Sequence, residues 1–262
     1  MSAPLSIPDL IREAWRLAAR AARPALPWLG LTALAGGLYQ WALGQGGLPA
    51  VVAATTLFCA GVQASLTIYR AMMPGVKGSF WPLAHMNLAI YLAFFFIGFF
   101  ILFFTAIIGM TMLQLSGVVD LAADPGQEEV QAALRAILPT PYGAALLLVF
   151  AAGMGGLSFL ALRLLLAGAA TVEAGQAMVF RTWTWTKGHA LRLGAASLAT
   201  HVLPFAAGLL VNAMLTPLMG TGDTARIASG VTFLILQGPF ILAGHGLAVA
   251  ALSRLRPAAG VA

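Results

Sequence analysis

The sequence predicts an all-α integral membrane protein with six transmembrane helices. Apolar residues make up 60% of the 262 residues and charged residues only 8%, a composition far from that of a soluble globular domain. The apolar residues are also gathered into six runs, each close to or above the ~20 residues that cross a hydrocarbon core about 30 Å thick. We place these runs at residues 25–43, 48–69, 85–115, 142–170, 191–215 and 227–252.

Residues 1–24 have the pattern of an amphipathic helix at the membrane surface. Asp9 and Glu13 argue against a secretory signal peptide, because the corresponding region of a signal peptide is basic. Four arginines follow one stripe of this helix, and apolar residues that include Trp15 cover the other side. We expect the helix to lie in the head-group plane and to contact anionic lipids. The stripe consists of Arg12, Arg16, Arg20 and Arg23.

The distribution of cations predicts how the chain is threaded. Arginine and lysine lie at 12–23, 70–77, 181–192 and 254–256, whereas the alternate connections hold mostly carboxylates. Since positive residues stay in the cytoplasm, we expect both termini there, a membrane domain over 25–254 and a short cytoplasmic tail over 255–262. The arginine-rich and alanine-rich composition is typical of a bacterial genome rich in GC, so we expect a bacterial inner membrane.

The connection over 116–141 is acidic and is expected on the outer side. Apolar residues within 128–138 recur at helical spacing, namely Val130, Ala133, Leu134 and Leu138. A short helix resting on the outer face explains this spacing, and a disordered loop remains an alternative.

The segment RTWTWTKGHALRL, residues 181–193, places tryptophans and cations at the predicted cytoplasmic boundary. Indole rings prefer that boundary, and an isolated strand there would leave backbone groups unpaired. We therefore expect a surface helix over 173–186 and a bend at Gly188. The residues expected to contact the interface here and before the third run are Arg181, Trp183, Trp185, Lys187, Lys77 and Trp81.

Two Lys-Gly pairs hint at an internal repeat. Lys77-Gly78 precedes the third run as Lys187-Gly188 precedes the fifth, and the arginine-rich helix precedes the first. This pattern predicts three helical hairpins, each preceded by a cytoplasmic interfacial elbow helix. Chance similarity between interfacial segments remains open.

A longer motif in the second half of the chain resembles a known family. It reads Arg163-Leu-x-Leu, then Val172-Glu173 and Gly175, then Phe180-Arg181-x-Trp183-x-x-Thr186-Lys187-Gly188. This motif resembles the membrane domain of some glycerophosphoryl diester phosphodiesterases and its stand-alone six-helix relatives of unknown function. The sequence departs from the family in lacking a proline before the glutamate and in having Thr182 where serine is common. We expect no soluble catalytic domain here, so the resemblance implies the membrane fold and not the phosphodiesterase activity.

Residues that could support catalysis or metal binding are sparse. Such sites need several converging carboxylates and histidines, but only Glu173 lies on the cytoplasmic side after the first run, and the four histidines lack ligand spacing. We expect no enzyme, no cofactor and no metal site. Cys59 lies in an apolar run and is expected to be a small buried residue. The scattered cations favour anionic lipids over nucleic acid as partners.

Several polar residues lie within or next to the apolar runs, where they are costly unless they face the bundle interior. From their depths at 1.5 Å per residue, we expect a polar layer in the cytoplasmic half of the bundle. His201 and Gln237 are expected to meet, and Arg163 is expected to reach Glu173. The alternative is that each residue is satisfied separately. The expected layer comprises Gln63, Arg163, Glu173, His201, Gln237 and His245.

Two functions are compatible with these features. The first is a non-catalytic membrane protein that organises lipids or partner membrane proteins, including copies of itself. The second is a carrier or channel-like protein that moves a lipid or small solute through a polar cavity open to the cytoplasm. The first is favoured because carriers commonly show clearer repeats and charged coupling sites.

Overall fold

The computed structural model describes residues 5–120, 123 and 125–256, and all secondary structure in these ranges is helical. Asp124 and the tail residues 257–262 lie outside the described residues. The helices are α1 (Ile7–Gln45), α2 (Gly47–Met72), α3 (Phe80–Ser116), α4 (Gln127–Ile137), α5 (Pro141–Leu164), α6 (Ala167–Ala174), α7 (Arg181–Trp185), α8 (Ala190–Ser197), α9 (Leu203–Leu215), α10 (Asp223–Leu236) and α11 (Gly238–Leu255). A π-helical turn, Leu198–Val202, joins α8 to α9.

Within the described residues, five stretches are long and apolar enough to cross a membrane, so the chain is a multi-pass membrane protein. They match five of the six predicted runs. The remaining run, 25–43, lies inside α1, where Gln40 and several glycines lower the hydropathy. The five stretches are Gly47–Met72, Phe80–Ser116, Pro141–Ala174, Ala190–Met219 and Asp223–Leu255.

The helix α1 contradicts the predicted boundary at residue 24. It continues as one helix of 39 residues through Pro24 and Pro27, and its length is about 58 Å at 1.5 Å per residue. Leu10 and Ala14, which were expected to face acyl chains, are fully buried. The carbonyl of Ala14 lies so close to Gly246 of α11 that a β-carbon there would overlap it. Part of the apolar side of residues 7–24 is therefore covered by protein, whereas Trp15 and Ala19 remain exposed. These residues form the first part of α1 and not a separate interfacial helix.

The described chain divides into two compact units. Unit 1 comprises Met1–Leu88 and Leu162–Ala262, and unit 2 comprises Ala89–Ala161. In unit 1, α1 packs against α2, α10 and α11. A β-carbon at Gly37 would lie only 2.8 Å from the carbonyl of Ile227 in α10. Small residues thus allow close approach of the helices, as is common in membrane bundles.

Unit 2 is built from parts of α3 and α5 together with α4. A β-carbon at Gly153 of α5 would lie 2.7 Å from the side chain of Ile101 in α3. Ala133 and Ile137 of α4 form a buried cluster with Leu113 of α3. The helix expected over residues 128–138 is confirmed, because its apolar face is covered by α3.

The predicted elbow helices are mostly absent. Residues 173–186 do not form one helix, because α6 ends at Gly175 with a φ of 71° and only the short α7 follows. Residues 77–79 are not helical, and α3 begins directly after them. The bend at Gly188 is confirmed by its φ of 79°.

The two Lys-Gly pairs have different structural roles. Gly78 packs against Val172 of α6 so closely that no side chain fits at this position, whereas Gly188 has open space and a positive φ. One glycine permits close contact and the other permits a left-handed bend. This difference favours chance similarity over an internal repeat.

Candidate functional site

His201 packs against α11 and His245 is a residue of α11, both in unit 1. The ring of His201 lies against Gly244, at 2.7 Å from the position of a β-carbon there. His245 places Nδ1 2.7 Å from the carbonyl oxygen of Ile241. Its ring centroid lies 4.6 Å from that of Tyr69 in α2. The two histidines therefore take part in neighbouring contacts of α11.

Gln237 lies at the turn between α10 and α11 and is only 3% exposed. Its side-chain amide packs over Gly208 of α9. Neither Nε2 nor Oε1 has a hydrogen-bond partner among the described residues. Burial of an unpaired amide is unfavourable, so this position lowers the stability of the fold.

His201 and Gln237, which were expected to meet, pack against different glycines. His201 lies against Gly244 of α11, whereas Gln237 lies against Gly208 of α9. The ring centroids of Phe205 and Phe240 are 5.4 Å apart, and Phe240 also lies 5.7 Å from His201. The rise from Gln237 to Gly244, the neighbour of His201, is about 10 Å.

Arg163 fixes the segment that contains the two tryptophans. It is only 7% exposed, and its guanidinium donates a hydrogen bond to the backbone carbonyl of Trp183. The guanidinium carbon lies 4.7 Å from the centroid of the Trp183 ring, within cation–π range. Thr186 donates a hydrogen bond of 3.2 Å to the carbonyl of Arg163. Three residues of the longer sequence motif, Arg163, Trp183 and Thr186, therefore contact one another.

Glu173 and Gln63 belong to two other sites. Glu173 forms an ion pair with Arg256 after α11, whereas the sequence predicted Arg163 as its partner. Gln63 lines a separate cavity of about 660 Å³ together with Cys59. Cys59 is exposed rather than buried as expected. Gln63, Arg163 and Glu173 thus have different neighbours.

Most residues expected at the membrane interface lie at the protein surface. Trp81 is 68% exposed and Trp15 is 39% exposed. Trp183 and Trp185 are partly buried, since the contact with Arg163 covers part of the first ring. The exposed cations of this group are Arg12, Arg16, Arg20, Arg23, Lys77, Arg181 and Lys187.

A polar cavity of about 630 Å³ opens at the end of unit 1 where α1 begins and α11 ends. Its charged residues come from α1, from α6 and from the residue after α11. The C-terminal end of α2 and the following turn supply apolar wall residues, including Met72. We name this space the polar cavity; its charged residues are Glu13, Arg16, Arg20, Glu173 and Arg256.

Two ion pairs lie in the wall of the polar cavity. The Arg16 guanidinium lies 2.7 Å from the Glu13 carboxylate, and Arg256 pairs with Glu173. The hydrogen bond to Glu13, with its negative charge, raises the pKa of Arg16, so Arg16 remains cationic. Three arginines and two glutamates leave one positive charge in excess. Sequence reasoning missed Glu13 and Arg256; the signal for Arg256 was the basic cluster at the C-terminal end on the same predicted side.

An apolar groove of about 630 Å³ runs between α1 and the α10–α11 region. Trp15 lies at one end and Gly30 at the other, about 22 Å apart along α1. Ala19 and Ala22 line the groove between them, and Pro239 belongs to the opposite wall. The small side chains of α1 give the groove its depth. We name it the apolar groove.

The arginine stripe of α1 separates the apolar groove from the polar cavity. Trp15 and Ala19 line the apolar groove, and their chain neighbours Arg16 and Arg20 line the polar cavity. Successive residues of an α-helix are about 100° apart. A charged surface and an apolar surface thus meet along one helix.

In the part of the chain that the structure describes, no group of three or more histidines, cysteines or carboxylates could hold a metal ion. Comparison with known proteins finds no family model, no curated protein and no solved structure that matches the chain. The apolar groove and the polar cavity are therefore the features from which a function is argued.

Proposed function

We propose that this protein is a non-catalytic membrane protein that binds and organises lipids, and that the apolar groove takes a phospholipid acyl chain. The observation that carries this proposal is the apolar groove of about 630 Å³ that runs from Trp15 to Gly30 beside the arginine stripe. Its volume falls in the range of about 300–1,000 Å³ found for small-molecule sites.

The dimensions of the apolar groove suit an acyl chain. It follows α1 for about 22 Å, whereas one leaflet occupies about half of a hydrocarbon core of about 30 Å. A single chain of one leaflet therefore fits along it. The arginine stripe adjoins the Trp15 end, where a phosphate group would meet cations.

We also propose that α1 supplies a sixth span and that the protein lies in a bacterial inner membrane with both termini in the cytoplasm. The helix, at about 58 Å, is longer than the hydrocarbon core requires. An even number of spans returns the chain to its starting side, and the cations at both ends support this topology. The resemblance to the phosphodiesterase membrane domain stays a prediction.

The carrier alternative is less well supported. Its main support was a continuous polar layer, but His201, Gln237 and Glu173 face separate neighbours. No observation favours a path that would connect them.

A change at Gly30 tests lipid binding in the apolar groove. A β-carbon at Gly30 meets nothing within 4 Å, so Gly30→Phe adds a ring at the groove without a clash at its β-carbon. We expect the purified variant to retain fewer phospholipids than the wild type, measured by native mass spectrometry. Gly155→Phe in α5 is the matched control, because Gly155 also has open space. Equal retention by both variants and the wild type would contradict the proposal.

Cysteine labelling tests the six-span topology. In a Cys59→Ala background, Glu129→Cys should react with an impermeant maleimide from outside the intact cell, whereas Ser6→Cys and Arg254→Cys should react only after permeabilisation. Reaction of Ser6→Cys and Arg254→Cys from opposite sides would exclude six spans.

A further inference from the structure

The polar cavity offers a second site for the same lipids. We propose that it binds a phosphodiester anion and that in the membrane this anion is the head group of an anionic phospholipid. The inference rests on the proposed lipid binding and deepens it by naming the head-group class. The charged and apolar walls of the polar cavity carry the argument.

The charges of the polar cavity match one phosphodiester. Arg16 pairs with Glu13 and Arg256 pairs with Glu173. Among the described residues, Arg20 has no carboxylate at ion-pair distance. One positive charge is left over, and a phosphodiester carries one negative charge. Arginine binds such oxygens with two parallel N–H donors.

The two ion pairs also hold the cavity ready for an anion. Each guanidinium has five N–H donors, and a carboxylate engages at most two of them in a bidentate pair. Arg16 and Arg256 therefore keep donors for a ligand while they are paired with Glu13 and Glu173.

The apolar wall favours a lipid over free phosphate. Leu17, Met72 and Val249 line the polar cavity together with the charged residues. An inorganic phosphate ion gains nothing from these side chains, whereas the glycerol backbone and first methylenes of a phospholipid bury apolar surface against them. The shared chemistry of both ligands is the phosphate oxygen at Arg20.

Native mass spectrometry with a defined lipid mixture tests the inference. The full-length protein in neutral detergent is mixed with equal amounts of phosphatidylglycerol and phosphatidylcholine that have identical acyl chains. We expect the wild type to prefer phosphatidylglycerol. Arg20→Gln should reduce that preference about tenfold, the effect of losing one charge-assisted hydrogen bond. Arg23→Gln is the matched control, because Arg23 lies on the same helix outside the polar cavity, and it should keep the preference.

A variant that should increase the preference for phosphatidylglycerol provides a second test. Glu173→Gln removes a negative charge from the polar cavity and frees Arg256, so we expect a stronger preference for phosphatidylglycerol. This result is not expected from misfolding, which weakens binding. An unchanged or reduced preference in Glu173→Gln, with the wild-type elution profile in gel filtration, would overturn the inference.

Three further outcomes separate the possible failures. Displacement of phosphatidylglycerol by millimolar inorganic phosphate, to the extent seen in Arg20→Gln, would overturn the lipid assignment and identify a soluble anion as the ligand. Lipid retention without head-group preference would overturn this inference and leave the acyl-chain proposal standing. Equal retention by the wild type and Gly30→Phe would instead overturn the acyl-chain proposal, whatever the head-group preference.

Discussion

Units 1 and 2 are both strongly apolar, but they use their apolar residues differently. In unit 1, α11 buries a nearly continuous run of small residues and leucines. The helix α1 buries alanines, and its glycines Gly36 and Gly37 pack against α10. In unit 2, large side chains of α3 such as Phe95, Phe99 and Phe103 remain about half exposed or more. Lipid tails are as apolar as these side chains, so hydrophobicity alone does not bring helices together in a membrane.

The difference shows which features determine packing in this protein. Small residues allow backbones to approach, and these contacts create the walls of the apolar groove and the polar cavity in unit 1. The described contacts within unit 2 are fewer and centre on Gly153, on Gly109 and on α4. The effect of a glycine substitution on stability should therefore depend on the contacts of that glycine and not on its hydropathy.

The largest expected effect is a substitution at a packed glycine. Gly246→Val places a side chain against the backbone of Ala14, and overpacking of this kind costs about 3 kcal/mol or more. We expect a strongly lowered midpoint of thermal unfolding in detergent. Gly98→Val in α3 is the matched control, because Gly98 has open space around it. Similar midpoints for the two variants would refute the contrast between the units.

The next effect concerns the segment held by Arg163. Arg163→Met keeps the apolar stem but removes the hydrogen bond to the Trp183 carbonyl and the contact with its ring. We expect the free energy of local opening of this segment to fall by about 2 kcal/mol, measured by amide hydrogen exchange of residues 180–186. Arg181→Met, an exposed change in α7, should leave exchange unchanged. Faster exchange in the control alone would show that Arg163 does not fix the segment.

The smallest expected effect is an increase in stability. Gln237→Leu replaces a buried amide that has no hydrogen-bond partner among the described residues by an apolar side chain of similar volume. We expect the free energy of unfolding to rise by about 1 kcal/mol and the midpoint of thermal unfolding to be higher. A lower midpoint would mean that the amide makes a favourable interaction in the membrane.

The local features of the fold were predictable from the sequence. Five spans and α4 follow from hydropathy and periodicity, which are properties of short windows. The continuity of α1 was not predictable, because the apolar face that includes Leu10 can be covered either by lipid or by another helix. Only the contact with Gly246 of α11 decides between the two.

The candidate site was predictable only in part. The arginine stripe was visible in the sequence, but depths estimated from the ends of the predicted runs do not show which side chains are neighbours. For that reason His201 and Gln237 were expected to meet, whereas they pack against different glycines, and Glu173 was expected to reach Arg163, whereas it pairs with Arg256. The pairing of Glu173 with Arg256 joins distant parts of the chain, and no local pattern reveals it.

The most direct measurement of lipid binding is a cryo-electron microscopy map of the protein in a lipid nanodisc. We expect continuous acyl-chain density along α1 between Trp15 and Gly30, better ordered than the density of lipids around unit 2. A map in which protein side chains fill the apolar groove, or in which its density is no better ordered than that of the surrounding lipids, would contradict lipid binding at this site.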